Sequence, residues 1–290
     1  MNHPKQTPFR RAVAPRYLLA ALVVAVVLAA ALVGSLEPRA NRDWIPQQAV
    51  LPVARFYGRH VDVSRVRNFK FTAPERFTVS YEDRTYDLDK LNGVWFVLTP
   101  FYDTWRGPAH SFVTFGFADS QFVSISVEAR RERGEEYGPV KGVFNRYELI
   151  YVIGDERDVI GQRAILGDYP VYLYPIRAPR EKMRAMFVDM LQRANALREQ
   201  PEFYNTITNN CTSNVIDHVN SVASRPVPGG LKTMLPGYSD EVAMRLGLID
   251  SDLDLSTTRR RFRVNDRARR FAHDPYFSLR IREPETTSGS

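Results

Sequence analysis

The stretch TNNCTSNVIDHV, residues 208–219, holds Cys211, the only cysteine of a 290-residue chain. A thiol can be a small packing group or, as a thiolate, a nucleophile. Thr208, Asn209 and Asn210 are residue types that cap helices, and Val215, Ile216 and Val219 form an apolar stripe one and two turns further on. The spacing predicts a helix that starts at Cys211, with the thiol in its first turn. There the exposed amides and the positive end of the helix dipole favour the thiolate. The same position would set the Cys211 amide, and the Asn210 side chain beside it, where an oxyanion could be received.

A cysteine nucleophile usually works with an imidazole. Of five histidines, His3 and His273 lie in basic terminal segments and His60 follows an arginine early in a predicted strand. His218 is on the same helix as Cys211 but two turns away, roughly 10 Å by rise, which is beyond a direct hydrogen bond. His110 remains. It opens the apolar run HSFVTFGF directly after the loop WRGPA, where a side chain can reach a cleft at the end of a sheet. A structural histidine at a strand start is the other reading of the same pattern. The following run, QFVSISVEARRE, supplies an orienting carboxylate, Glu128. A two-residue turn at Asp119-Ser120 pairs Ser111 with Glu128 and His110 with Ala129. A loop one residue longer pairs His110 with Glu128 on one face. An ion pair between Glu128 and a nearby arginine stands beside the catalytic reading.

The elements that must position these groups are mostly strands. VDVSRVRNFKF, RFTVSYEDRTYDL and GVWFVLTPF alternate or run apolar with turns between them, SFVTFGF and QFVSISVEARRE read as a hairpin, and YELIYVIGD and PVYLYPI add two more strands. REKMRAMFVDMLQRANALREQ changes to helical spacing, with Met183, Met186, Phe187, Met190, Leu191 and Ala194 on one side as core, and Pro201 ends it. SDEVAMRLGLID predicts a further short helix. No internal repeat is present.

The ends of the chain set the compartment. YLLAALVVAVVLAAALVGSL is about twenty residues without charge, enough to span roughly 30 Å of hydrocarbon, and Lys5, Arg10, Arg11 and Arg16 precede it. The expectation is a single-pass signal anchor in the bacterial inner membrane with the body exported to the periplasm. A cleaved signal peptide exports the body equally. In an oxidising compartment structural cysteines tend to pair, and Cys211 has no partner within the chain. The formal charge of +7 is concentrated at the two ends and suits anionic headgroups; no nucleic-acid motif accompanies it. The expected organisation is a cytoplasmic basic segment over 1–16, an anchor over 17–36, a stalk over 37–52, a catalytic-type domain over 53–255 and a basic tail over 256–290.

AHSFVTFGF, YELIYVIGDERD, VYLYP, NNCTSN and MLPGYSD together resemble the Lnb N-terminal periplasmic domain family, with a likeness running from about Arg42 to about Asp250. Bacterial members are linked to lipoprotein N-acylation. The order His then Cys is similar to that of circularly permuted papain-like enzymes, among them the lecithin:retinol acyltransferase-like group. The resemblance implies an α+β fold, an antiparallel sheet packed with helices and a nucleophile at a helix N-terminus. It makes Cys211 the nucleophile and His110 the base, and leaves the third member open. It further implies an acyl chain passing from a membrane phospholipid, through a Cys211 thioester, to an amine such as a lipoprotein N-terminus. That chemistry calls for no metal and no organic cofactor. The family's well-described acyltransferases carry several membrane helices after this domain, and here none is expected, which opens the identity of the acceptor. Two rivals use the same residues differently: a cysteine peptidase or amidase acting on peptidoglycan, and a non-catalytic envelope binding protein with a buried cysteine.

Overall fold

The computed structural model describes residues 17, 19–24, 27, 34–102, 107–230 and 235–283. The chain divides into two compact units, Met1–Glu37 and Pro38–Ser290. The expected basic segment over 1–16, much of the expected anchor over 17–36, and residues 284–290 lie outside the described residues. Among those described, no helix is long and apolar enough to cross a membrane.

The body is organised by one mixed sheet. Its strands are β1 (Val53–Tyr57), β2 (His60–Arg67), β5 (Tyr81–Asp87), β6 (Leu91–Pro100), β7 (Ala109–Phe117), β8 (Phe122–Arg130), β9 (Tyr147–Gly154), β10 (Tyr172–Pro175) and β11 (Phe203–Tyr204). β3 (Lys70–Ala73) and β4 (Arg76–Thr78) form a separate two-stranded ribbon. The main order is β1-β2-β9-β8-β7-β6-β10, with β5 on β2 and β11 on β9. Pairing is antiparallel except for one parallel contact, Arg67 with Gly154, between β2 and β9.

The central strands have no solvent-exposed face. Every residue of β9 is buried, and all but one in each of β7 and β8. A strand buried on both faces needs cover on both, and side chains alternate between the covers. Val113, Phe115, Ile125 and Val127 join one core cluster, and Phe112 joins another with Val159, Ile160 and Ala164.

The first face is covered by α3 (Arg180–Glu199) and α4 (Cys211–Val222). In α3 the buried residues Met186, Phe187, Met190, Leu191, Ala194 and Leu197 fall at the helical spacing read from the sequence. Phe187 sits edge-on to Tyr86, Phe115 and Phe117, with ring centroids 4.9–5.7 Å away. Its complete burial stabilises the layer by about 2 kcal/mol. Gln200 leaves helical geometry just before Pro201.

The second face is covered by α2 (Glu156–Gly161), the π-helical turn over residues 162–166 and three short C-terminal helices, α6 (Leu255–Phe262), α7 (Asn265–Arg270) and α8 (Phe277–Arg280). The segment expected as a basic tail is therefore part of the body as far as residue 283, because Val264, Ala268, Phe277 and Ile281 are buried between its arginines. The expected stalk is likewise packed. Trp44 and Gln48 are buried, Arg42 pairs with Glu132 and Glu148, and the Arg130 guanidinium lies 4.2 Å over the Trp44 ring. Composition alone hid both, since a few apolar anchors among many charges fix a segment as well as a uniform run does. Two small helices complete the body, α1 (Pro139–Val143) and α5 (Ser239–Arg245).

Candidate functional site

Helix α4 begins where the capping residues place it. Asn210 is the N-cap, its Oδ1 accepting from the amides of Thr212 and Ser213 at 2.9 Å each, while the Ser213 hydroxyl accepts from the Asn210 amide at 2.8 Å. This reciprocal box fixes Cys211 at the first helical position. It also alters the expected part of Asn210. Its side-chain Oδ1 is occupied by the cap and its Nδ2 donates to the Thr206 carbonyl at 2.9 Å, so the amide is committed to structure. The cap takes the amides of Thr212 and Ser213 and leaves that of Cys211 out of its bonding.

Cys211 is buried, 3% exposed, in the core cluster with Val113, Phe115 and Val215. The Thr212 hydroxyl is 3.9 Å from its sulfur and 2.9 Å from the Ser111 hydroxyl, which ties the start of α4 to β7. Burial pushes the Tyr204 phenol well above its ordinary range, and the neighbouring Cys211 adds to the effect.

His110 is not at the thiol. Ser111 faces α4, so its strand neighbour His110 projects through the opposite face of β7. Its ring lies against Phe112, centroids 5.6 Å apart, in the layer beneath α2. The hairpin loop explains what stands opposite. Gly116 pairs with Phe122, the Phe117 amide bonds to the Gln121 carbonyl, and Ala118, Asp119 and Ser120 form a three-residue loop with Ser120 at φ 62°. This is the longer of the two loops read from the sequence, and it brings Glu128 to the same face as His110, 4.0 Å apart.

Ser126, which the sequence reading did not single out, stands between them. Its hydroxyl donates to Glu128 Oε1 at 2.9 Å and is 2.8 Å from His110 Nε2. With the serine proton on the carboxylate, the imidazole Nε2 must present its own proton to the serine oxygen. Glu128 also accepts from Arg163 at 2.9 Å and from Gln48 at 2.9 Å. Burial lowers the His110 pKa to about 3, with the positive Arg163 adding to that and Glu128 opposing it. Burial is the largest single effect and works against the Glu128 carboxylate. Arg163 first, with His110, Arg67 and the Gln48 hydrogen bond acting the same way, together hold the group below the usual carboxylate range. The pair is thus a neutral imidazole beside an ion pair. Arg163 gives no helical-spacing or motif signal; only the fold brings it within reach of Glu128.

The histidine on the thiol's own face is His218, set aside in the sequence for its distance from Cys211. Its Nε2 is 2.7 Å from the Tyr151 hydroxyl and its Nδ1 is 2.8 Å from Asp189. Tyr151 donates to Asn214, whose Nδ2 reaches the Asn210 carbonyl. This network braces the first turns of α4 from inside.

Beside α4 lies a cavity of about 620 Å³, lined by Thr212, Val215, Ile216 and Val219 of this helix, by Val94, Phe96 and Val113 of the sheet and by Met183 and Met186 of α3. The lining starts at the residue after the thiol. Among the described residues no group of His, Cys, Asp and Glu side chains is arranged to hold a metal ion.

No curated protein and no solved structure matches the chain. A family model does, over residues 77–234, more than half of the chain, and this span contains His110, Glu128 and the whole of α4. The chain belongs to the Lnb N-terminal periplasmic domain family, and its body is a periplasmic domain of the cell envelope.

Proposed function

We propose that this protein is a thiol acyltransferase of the periplasmic membrane surface, anchored through residues 17–36, in which Cys211 carries an acyl chain as a thioester. The observation that carries the reading is the apolar cavity running along α4 from Thr212. Pockets of this kind bury a ligand's apolar body and leave the reacting end at a few polar groups. A thiol at a capped helix start against an antiparallel sheet, with a free first amide, is also the arrangement expected of a permuted papain-like enzyme.

In the proposed reaction the Cys211 sulfur attacks the ester carbonyl of a phospholipid. The oxyanion is received by the Cys211 amide, the carbon–oxygen bond breaks, and the thiol proton ends on the leaving lysolipid. An amine, such as a lipoprotein N-terminus, then attacks the thioester; the carbon–sulfur bond breaks and the thiol regains a proton. No metal or organic cofactor takes part in this scheme. A peptidoglycan peptide would call for an open polar groove, which the aliphatic lining does not offer.

A second reading has its own observation. The buried thiol and the position of His110 on the far face favour a protein that holds acyl chains without chemistry. Intact mass spectrometry after incubation with phospholipid separates the two. The transferase gives an acyl-sized adduct that Cys211→Ser removes; absence of any adduct in the wild type overturns it. His110→Ala then reports on the base: loss of the adduct from a folded protein makes His110 a direct participant, and a retained adduct assigns it to the polar layer.

A further inference from the structure

We infer that the cavity beside α4 receives the acyl chain of an anionic phospholipid and that Lys182, Arg225 and Arg245 hold its headgroup phosphate. This rests on the acyl-chain reading above and adds the headgroup to it. At about 620 Å³ the cavity lies within the range of about 300–1,000 Å³ usual for small-molecule sites. Its walls are aliphatic, yet four cationic side chains line it, Arg177, Lys182, Arg225 and Arg245, and among the described residues no Asp or Glu does.

The four are not equivalent. Arg177 is committed to Asp250 and Asp252 at 2.8 and 3.3 Å. The Lys182 ammonium bonds to the Ser224 hydroxyl at 2.7 Å, a neutral partner. Arg225 and Arg245 are exposed and, among the described residues, have no carboxylate partner. These three cations come from the first turn of α3, the segment just after α4 and the last turn of α5. Three elements of separate origin thus bring positive charge to one apolar opening, which complements an amphiphile with a chain and an uncompensated phosphate. A zwitterionic lipid presents its own ammonium to the same rim and loses that advantage.

The test uses the full chain carrying Cys211→Ser, so that binding is read without thioester formation. Dioleoylphosphatidylglycerol and dioleoylphosphatidylcholine are added in equal amounts to the protein in dodecyl maltoside, and retained lipid is counted by native mass spectrometry. The expected result is about tenfold more phosphatidylglycerol than phosphatidylcholine. Reversing the rim with Lys182→Glu, Arg225→Glu and Arg245→Glu lowers phosphatidylglycerol retention far more than phosphatidylcholine retention and brings the ratio to about one. Val219→Trp, which fills the cavity, removes both lipids; Ala243→Leu is the milder variant if the tryptophan does not fold. Equal retention of the two lipids, retention that survives filling of the cavity, or a dimer with no lipid bound overturns the inference. A wild-type protein that forms no acyl adduct fails the transferase reading alone and leaves this lipid ratio standing.

Discussion

The two faces of β7 and β8 differ in how they hold what they bury. Under α3 and α4 the sheet meets an aliphatic and aromatic layer that leaves a cavity, lined on α4 from Thr212, the residue after the thiol. Under α2 and the C-terminal helices it meets arginine–carboxylate pairs, Arg67 with Asp158, Arg163 with Glu128 and Arg282 with Glu156. A loosely filled apolar layer can exchange its contents for a ligand chain at little cost. A layer of buried ion pairs cannot, because each charge depends on its partner for the solvation it lost. Under the proposed function, ligand chemistry belongs to the first face and fixation of the strands to the second, although His110 belongs to the second.

The largest effect expected from breaking that assignment is Arg163→Ala. It strands the buried Glu128 carboxylate and should cost about 3–5 kcal/mol in urea denaturation, while any lipid bound under α4 by the surviving folded fraction is unchanged. Next is pH. The folded His110 pKa is near 3 against an ordinary value of 6.5. The unfolded chain therefore takes up the proton first on acidification. Stability from this group is complete above about pH 6.5 and is lost as pH falls toward 3, on the order of 3 kcal/mol by pH 4. His110→Gln should flatten that part of the stability curve, measured by denaturant midpoints at successive pH values. An unchanged slope would show that the imidazole is not held neutral.

On the other face, Asn210→Ala removes the cap and should cost about 1 kcal/mol in stability. It should also slow labelling of Cys211 by a thiol reagent or adduct formation on it, since the helix start no longer holds the first amide in place. Thr212→Val is the smallest. It leaves the buried Ser111 hydroxyl without its partner, about 1 kcal/mol at the low end of such losses, and should shift thermal unfolding by a few degrees.

Much of this arrangement could be read from residues alone, and the failures have a common cause. The strands, the α3 stripe and the start of α4 follow from local periodicity and capping, which the chain carries within ten or twenty residues. The pairing of Glu128 with His110 was legible as one of two registers, because hairpin register depends on loop length. What the sequence could not place was His110 against Cys211, a hundred residues apart. That relation turns on which face of β7 meets α4, and the Ser111–Thr212 contact decides it. The packed roles of Trp44 and Val264 were hidden because isolated anchors leave no periodic trace in a charged segment.

The loop Ala118–Ser120 has a consequence beyond this molecule. Side-chain alternation along a hairpin behaves as a reading frame with two phases, and the loop length sets the phase. With the same residues closed over a two-residue turn at Asp119-Ser120, the HSF and VEA letters would be read in the other phase, placing a different pair of side chains opposite each other. Relatives of this chain are therefore best sorted by the parity of that loop before their histidines are equated.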